Sequence, residues 1–270
     1  MKIVTEKVST LVNVLKMIHS VDSDCFIIIN ENELVIGAME SNQVSSTFVK
    51  IKKEFFTEFE FNPEEDEDMF VVHSLILKKV FGKINDTSTV FVEISNKKNE
   101  GLFKVSTSGV INKKYTLPLI AESRTAKLNA IKSFSQGIGK LKEKLEVSFE
   151  MDLKVFNESV DGTDILLSSD DYSVFINMLN GKFSISVDSV GGTGGLMDFT
   201  MAKYETPDGS SRYSFERLKK YGLTLDSFNK KGDFKFIVSF KKDYPIIMET
   251  SQSDFNLIFV IAPRLDNNNE

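Results

Sequence analysis

The sequence has no tryptophan, one cysteine and two histidines in 270 residues. A single cysteine, Cys25, excludes an intrachain disulfide, and its place in an apolar run points to a buried thiol in a reducing compartment. His19 and His73 lie at the ends of apolar helical segments, with no Cys, His or acidic residue at metal-binding spacing. No run of about 18 apolar residues is present to span a membrane. The opening residues, MKIVTEKVST, lack the apolar region of a signal peptide. These absences point to a soluble intracellular protein. Chemistry is equally sparse. The acidic run Glu64, Glu65, Asp66, Glu67 and Asp68 lacks the spacing and central glycine of a calcium loop and reads as a solvated loop. Gly191-Gly192-Thr193-Gly194-Gly195 lacks the Lys-Ser/Thr pair of a phosphate-binding loop. It leads instead into Leu196-Met197-Asp198-Phe199, which reads as the start of a strand. The expectation is a protein that catalyses no reaction and holds no metal or cofactor.

What is present is phenylalanine, 23 residues of it, within short apolar runs separated by turns. Cys25–Ile29, Leu34–Ala38, Val90–Ile94, Leu102–Ser106, Asp164–Leu167, Val174–Met178, Lys182–Val187, Lys235–Phe240 and Leu257–Ile261 read as strands. Asn30–Glu33, Asn180-Gly181 and Asp208-Gly209 supply turn residues between them. Four segments read as helices: Ser9–Ile18 with Ser9 as N-cap, Val72–Phe81, Ser148–Glu158 with Ser148 as N-cap, and Ser214–Tyr221. On the second, Val72, Leu75, Ile76 and Val80 fall on one face. The order of strand, helix, strands, helix, strands occurs twice. This gives an N-terminal half, 1–118, and a C-terminal half, 141–270, each a sheet-rich α+β domain with two helices on one face. Residues 119–140 form a connector. Its apolar residues, among them Leu128 and Ile131, fit either a helix or an extended crossover, and Gly137 and Gly139 weigh against the helix.

The net charge is −6, against a simple nucleic-acid binder. Yet the helical segments collect cations: Lys16 on the first, Lys78, Lys79 and Lys83 on the second, and Arg217, Lys219 and Lys220 on the last. If these helices share one side, that side attracts a phosphate backbone without reading sequence. Ordinary helix solubility, with lysines favoured near C-termini, is the alternative. On the third helix, Glu150, Asp152 and Glu158 outweigh Lys154.

Asp243-Tyr244-Pro245, and then Phe259-Val260-Ile261-Ala262-Pro263-Arg264-Leu265, resemble the ending of PCNA-type DNA sliding clamps. Leu34–Val44, Lys114–Leu119, Thr193–Asp198 and Ser211–Ser214 resemble further stretches of that family in the same order. The resemblance implies a clamp fold, with two similar domains per subunit assembling into a pseudo-sixfold ring, usually a homotrimer and in some relatives a heterotrimer. Helices would line the hole, placing Lys16, Lys78, Lys79, Lys83, Arg217, Lys219 and Lys220 toward double-stranded DNA. A partner-peptide pocket for PIP-box segments would comprise Met39, Gln43, Val44, Leu128, Ile131, Pro245, Val260, Ala262 and Pro263. Its implied partners are DNA polymerase, clamp loader, ligase and flap nuclease. Subunit contacts would use the edge strands Ile111–Pro118 and Lys182–Asp188, with Lys113, Lys114, Tyr115, Phe183, Ile185 and Asp188. The implied function is a processivity clamp, or else a specialised subunit of a hetero-oligomeric or damage-response ring.

Overall fold

In the computed structural model, the first apolar stretches become β1 (Lys2–Thr5), α1 (Val8–Val21), β2 (Asp24–Ile29), β3 (Glu33–Met39) and β4 (Ser45–Lys52). Then come β5 (Glu58–Glu60), β6 (Met69–His73), α2 (Ser74–Phe81), β7 (Thr89–Lys97), β8 (Glu100–Ser108) and β9 (Lys114–Pro118). A long helix, α3 (Thr125–Lys142), precedes β10 (Val147–Met151), α4 (Leu153–Asp164), β11 (Ser173–Leu179), β12 (Lys182–Val187) and β13 (Gly195–Phe199). The chain continues with β14 (Gly209–Ser214), α5 (Phe215–Asp226), β15 (Lys235–Phe240), β16 (Ile246–Ser251) and β17 (Phe255–Ile261). The structure describes residues 1–63, 68–85, 87–97, 100–120, 125–165, 167, 173–187, 195–199, 204–226 and 235–265. Most of the acidic run, Asp188 and the glycine run up to Gly194 lie outside them. Among the described residues no helix is long and apolar enough to cross a membrane.

Two units result. The first holds 1–41, 46–136 and 253–257; the second holds 42–45, 137–252 and 258–270. In the first, strands pair in the orders β5-β1-β7-β8-β9 and β4-β3-β2-β6. In the second, the orders are β13-β12-β11-β14 and β10-β15-β16-β17. The second unit thus repeats the first strand for strand, β5 being the addition. Twelve of the strand pairings, from β1 with β5 to β8 with β9, are antiparallel, as short hairpin connections allow.

Local chemistry sets several of these boundaries. Asn180 and Gly181 both take positive φ, 51° and 75°, the left-handed pair that a two-residue hairpin between β11 and β12 needs. Asn30 Oδ1 accepts from the Asn32 and Glu33 amides at 2.8 and 3.1 Å, closing the β2–β3 turn. Gly37 is compelled by crowding: a Cβ there would sit 2.3 Å from the Phe26 ring.

Several expectations are corrected. Val72 and His73 belong to β6, so α2 begins at Ser74. Ser9 lies inside α1; the Thr5 hydroxyl accepts from the Lys7 amide at its approach instead. Ser148 and Phe149 are strand residues of β10, paired with Ser239 and Val238. The cap of α4 is Asp152, whose carboxylate accepts from the Lys154 amide at 2.7 Å, as a helix N-cap should. Asp164 and Ile165 end α4 rather than beginning a strand. The connector is helical despite its two glycines. Ile131 and Ile138 are buried, and the Phe134 ring lies 5.7 Å from that of Phe48. Tertiary contacts of this kind outweigh the roughly 1 kcal/mol that each helical glycine costs.

Candidate nucleic-acid interface

Helix α1 buries Val8, Leu11, Val14, Leu15, Met17 and Ile18, packing on β2 and β3 and against α2. Each such side chain contributes about 1.5–3 kcal/mol. Lys16 falls on the opposite, exposed face. Helix α2 buries Ser74, Leu77, Val80 and Phe81. Leu75 and Ile76, expected on the apolar face, point outward at 38% and 37% exposure. Removing Val72 and His73 from the helix shifts its apolar stripe to Leu77, Val80 and Phe81, one turn apart. The Ser74 hydroxyl ties the start of α2 to the end of α1, within 2.9 Å of the Asp22 carbonyl and of His19 Nδ1. His73 Nδ1 lies 3.5 Å from an Asp24 carboxylate oxygen. Beyond this anchor, Lys79 and Lys83 are exposed and Lys78 is half-buried. The Lys113 ammonium donates to the Lys83 carbonyl, leaving the Lys83 side chain outward.

In the second unit α4 packs on α5 and on β12 and β13. Leu153, Phe156 and Val160 of α4 and Phe215, Leu218, Tyr221 and Leu225 of α5 are buried. Three of the cations here are engaged. Lys219 lies 2.6 Å from the Asp164 carboxylate and 6.0 Å from the Phe215 ring centroid. Arg217 donates to the Ser214 hydroxyl at 3.1 Å. Lys154 faces Glu158 at 3.8 Å. Lys220 is exposed.

Sheet edges are the second feature. β9, carrying Lys114 and Tyr115 and preceded by Lys113, is an outer strand paired with β8 alone. β12, expected to be an edge, is interior: it pairs with both β11 and β13. Phe183 and Ile185 are therefore core side chains, 1% and 0% exposed, and the outer strand of that sheet is β13.

The segments that end the chain converge on β14. The Tyr213 hydroxyl donates to the Tyr244 carbonyl at 2.9 Å. The Asp243 amide, at a residue with φ of 60°, donates to the Ser211 hydroxyl at 3.3 Å. The Arg264 amide donates to the Arg212 carbonyl, and the Ala262 amide to the Val44 carbonyl, both at 2.8 Å. Of the residues expected in a peptide pocket, Val44, Pro245, Ala262 and Pro263 are half-buried in the second unit and Gln43 is exposed there. Met39, Ile131 and Val260 are buried, at 8%, 2% and 4% exposure. The Leu128 side chain lies outside the described residues. Ser211–Ser214 stood out in the sequence only by its resemblance; the role of Ser211–Tyr213 in holding both terminal motifs was not visible there.

Residues 1–161 match the model of a protein family described as Repair protein Rad1/Rec1/Rad17. No curated protein matches the sequence. Among solved structures, PCNA from Thermococcus kodakaraensis superposes with a TM-score of 0.74 at 14% identity, over 97% of this chain and 99% of that one. The A. fulgidus PCNA that is bound to the C-terminal region of FEN-1 gives 0.72 at 16% identity, over 99% of each chain. A chain of the PCNA2–PCNA3 complex from Sulfolobus tokodaii gives 0.72 at 16% identity, over 98% and 99%. At these identities the likeness is one of fold.

Proposed function

The chain belongs to the Rad1/Rec1/Rad17 family of repair proteins and has the fold of a DNA sliding clamp, and we propose that it is one subunit of a hetero-oligomeric ring that encircles duplex DNA during repair. The observation that carries this reading is the family match over residues 1–161, joined to a clamp fold along the whole chain. A repair-family subunit favours a mixed ring over the homotrimer that resemblance to PCNA implies. Two different clamp chains assemble in the Sulfolobus tokodaii complex.

In this reading β9 and β13 carry the subunit contacts. Outer strands present unpaired amides and carbonyls, and ring closure would satisfy them. Lys113, Lys114 and Tyr115 sit on the β9 side. The helices supply the DNA-facing cations, with loose, backbone-directed contacts that permit sliding. Val44, Pro245, Ala262 and Pro263, with Gln43 beside them, form the part of the second unit offered to partner peptides. The FEN-1 segment on the A. fulgidus clamp makes a flap nuclease a reasonable partner class, alongside polymerase and ligase.

The test is topological. A ring assembled from this chain and the other clamp subunits of the same cell, opened and closed by their loader, should be retained on nicked circular duplex and lost when the circle is cut. Equal retention on circular and linear DNA would overturn encirclement.

A further inference from the structure

The two helix pairs differ in charge. The 14 residues of α1 and the 8 of α2 contain no Asp or Glu. At the chain's frequency of 39 acidic residues in 270, about three would fall there. Their cations are Lys16, Lys78 and Lys79, with Lys83 just beyond. No ion pair engages any of these four among the described residues, and Lys16 sits mid-helix, where the dipole gives no reason for a lysine. The pair α4 and α5 is the reverse. α4 carries Glu158, Asp161 and Asp164 against Lys154, and α5 carries Glu216 and Asp226 against Arg217, Lys219 and Lys220. Asp164 holds Lys219 at 2.6 Å, and Glu158 faces Lys154.

We propose that duplex DNA is held electrostatically by the α1–α2 surface alone, through Lys16, Lys78, Lys79 and Lys83, while the α4–α5 surface is charge-compensated and grips no phosphate. This inference rests on the clamp reading and departs from its simplest form, in which both helix pairs contribute alike. The attraction of a surface for phosphate follows its summed charge, and an intramolecular carboxylate 2.6 Å away competes for Lys219 at no cost in association entropy. A one-sided grip leaves the α4–α5 surface free of phosphate contacts.

The test compares two triple variants of the full chain, Lys16→Gln/Lys78→Gln/Lys79→Gln and Lys154→Gln/Lys219→Gln/Lys220→Gln. All six side chains are exposed or half-buried, so both variants should fold, which thermal melting checks. Binding to a fluorescent 30-base-pair duplex is measured across a salt series. Each lost phosphate contact lowers the slope of log K against log salt by about 0.9. The first variant should lose about two to three units of slope and at least tenfold in affinity at low salt; the second should stay within about twofold of wild type. Equal losses, or a larger loss in the second variant, overturn the one-sided grip and leave the clamp reading standing. No salt-dependent duplex binding by the wild-type protein overturns the one-sided grip and leaves encirclement to the circular-DNA test.

Discussion

The Cys25 thiol is fully buried in β2, 3.6 Å from the Phe26 carbonyl, and burial pushes its pKa up to about 12. Burial also raises that of the Tyr213 hydroxyl. In the unfolded chain both groups ionise nearer their ordinary values, so between about pH 9 and 12 the unfolded state binds fewer protons than the native one. Native stability is therefore fully present below about pH 9 and falls as pH rises further. Denaturant midpoints measured from pH 7 to pH 11 should decline across the upper half of that range. At pH 8 a maleimide should label Cys25 only at the rate of unfolding, and rapid labelling of the native protein would contradict its burial. The single cysteine in an apolar run already pointed to an inert thiol. That the Gly37 backbone of β3 would lie against it, working against the rise, depends on how β2 sits against β3.

At the scale of elements, β14 does more than pair with β11. Its residues Ser211, Arg212 and Tyr213 hold the Asp243–Tyr244 turn and the segment at Arg264. Tyr213→Phe leaves the Tyr244 carbonyl without that donor and should cost about 1–2 kcal/mol, read as a lowered denaturant midpoint with an unchanged slope. A variant as stable as wild type would show that water replaces the phenol. Elements also show where periodicity misleads. The stretch Val72–Phe81 satisfies a helical pattern, yet its first two residues complete β6, and the whole stripe rotates as a result. Ser148 looks like an N-cap, but Ser148 and Phe149 alternate as strand residues against β15. The apolar Phe149 suits either a helix face or a strand face, and only the partner strand decides. The resemblance put the second edge strand at Lys182–Asp188, yet β12 pairs on both sides, with β11 and β13. Local sequence announces that a segment is a strand, whereas its place within a sheet depends on which distant segments pair with it.

At the scale of the whole molecule, the repeated strand order in the two units carries the clamp fold, and family membership carries the specialisation. Purified alone, the chain should give the native mass of a monomer or a weak self-associate. Mixed with the other clamp subunits of its cell, it should enter a stable complex of about three chains, read by native mass measurement. A tight homotrimer formed by this chain alone would sink the mixed-ring reading.

Local sequence determined much here: strand-rich halves repeated along the chain, a thiol out of reach, and cations concentrated on helices. These depend on short-range periodicity and on residue counts, which a linear sequence displays directly. The ordered motifs near Asp243–Pro245 and Ala262–Leu265 added the clamp resemblance. Tertiary structure decided the rest: which strand is an edge, that Leu75 and Ile76 face outward, that Met39, Ile131 and Val260 are core, and that Asp164 neutralises Lys219. Each of these turns on residues far apart in the chain meeting in space, 55 positions apart for the Lys219–Asp164 pair. Such meetings are governed by packing and by competition among partners, and local spacing carries no record of them.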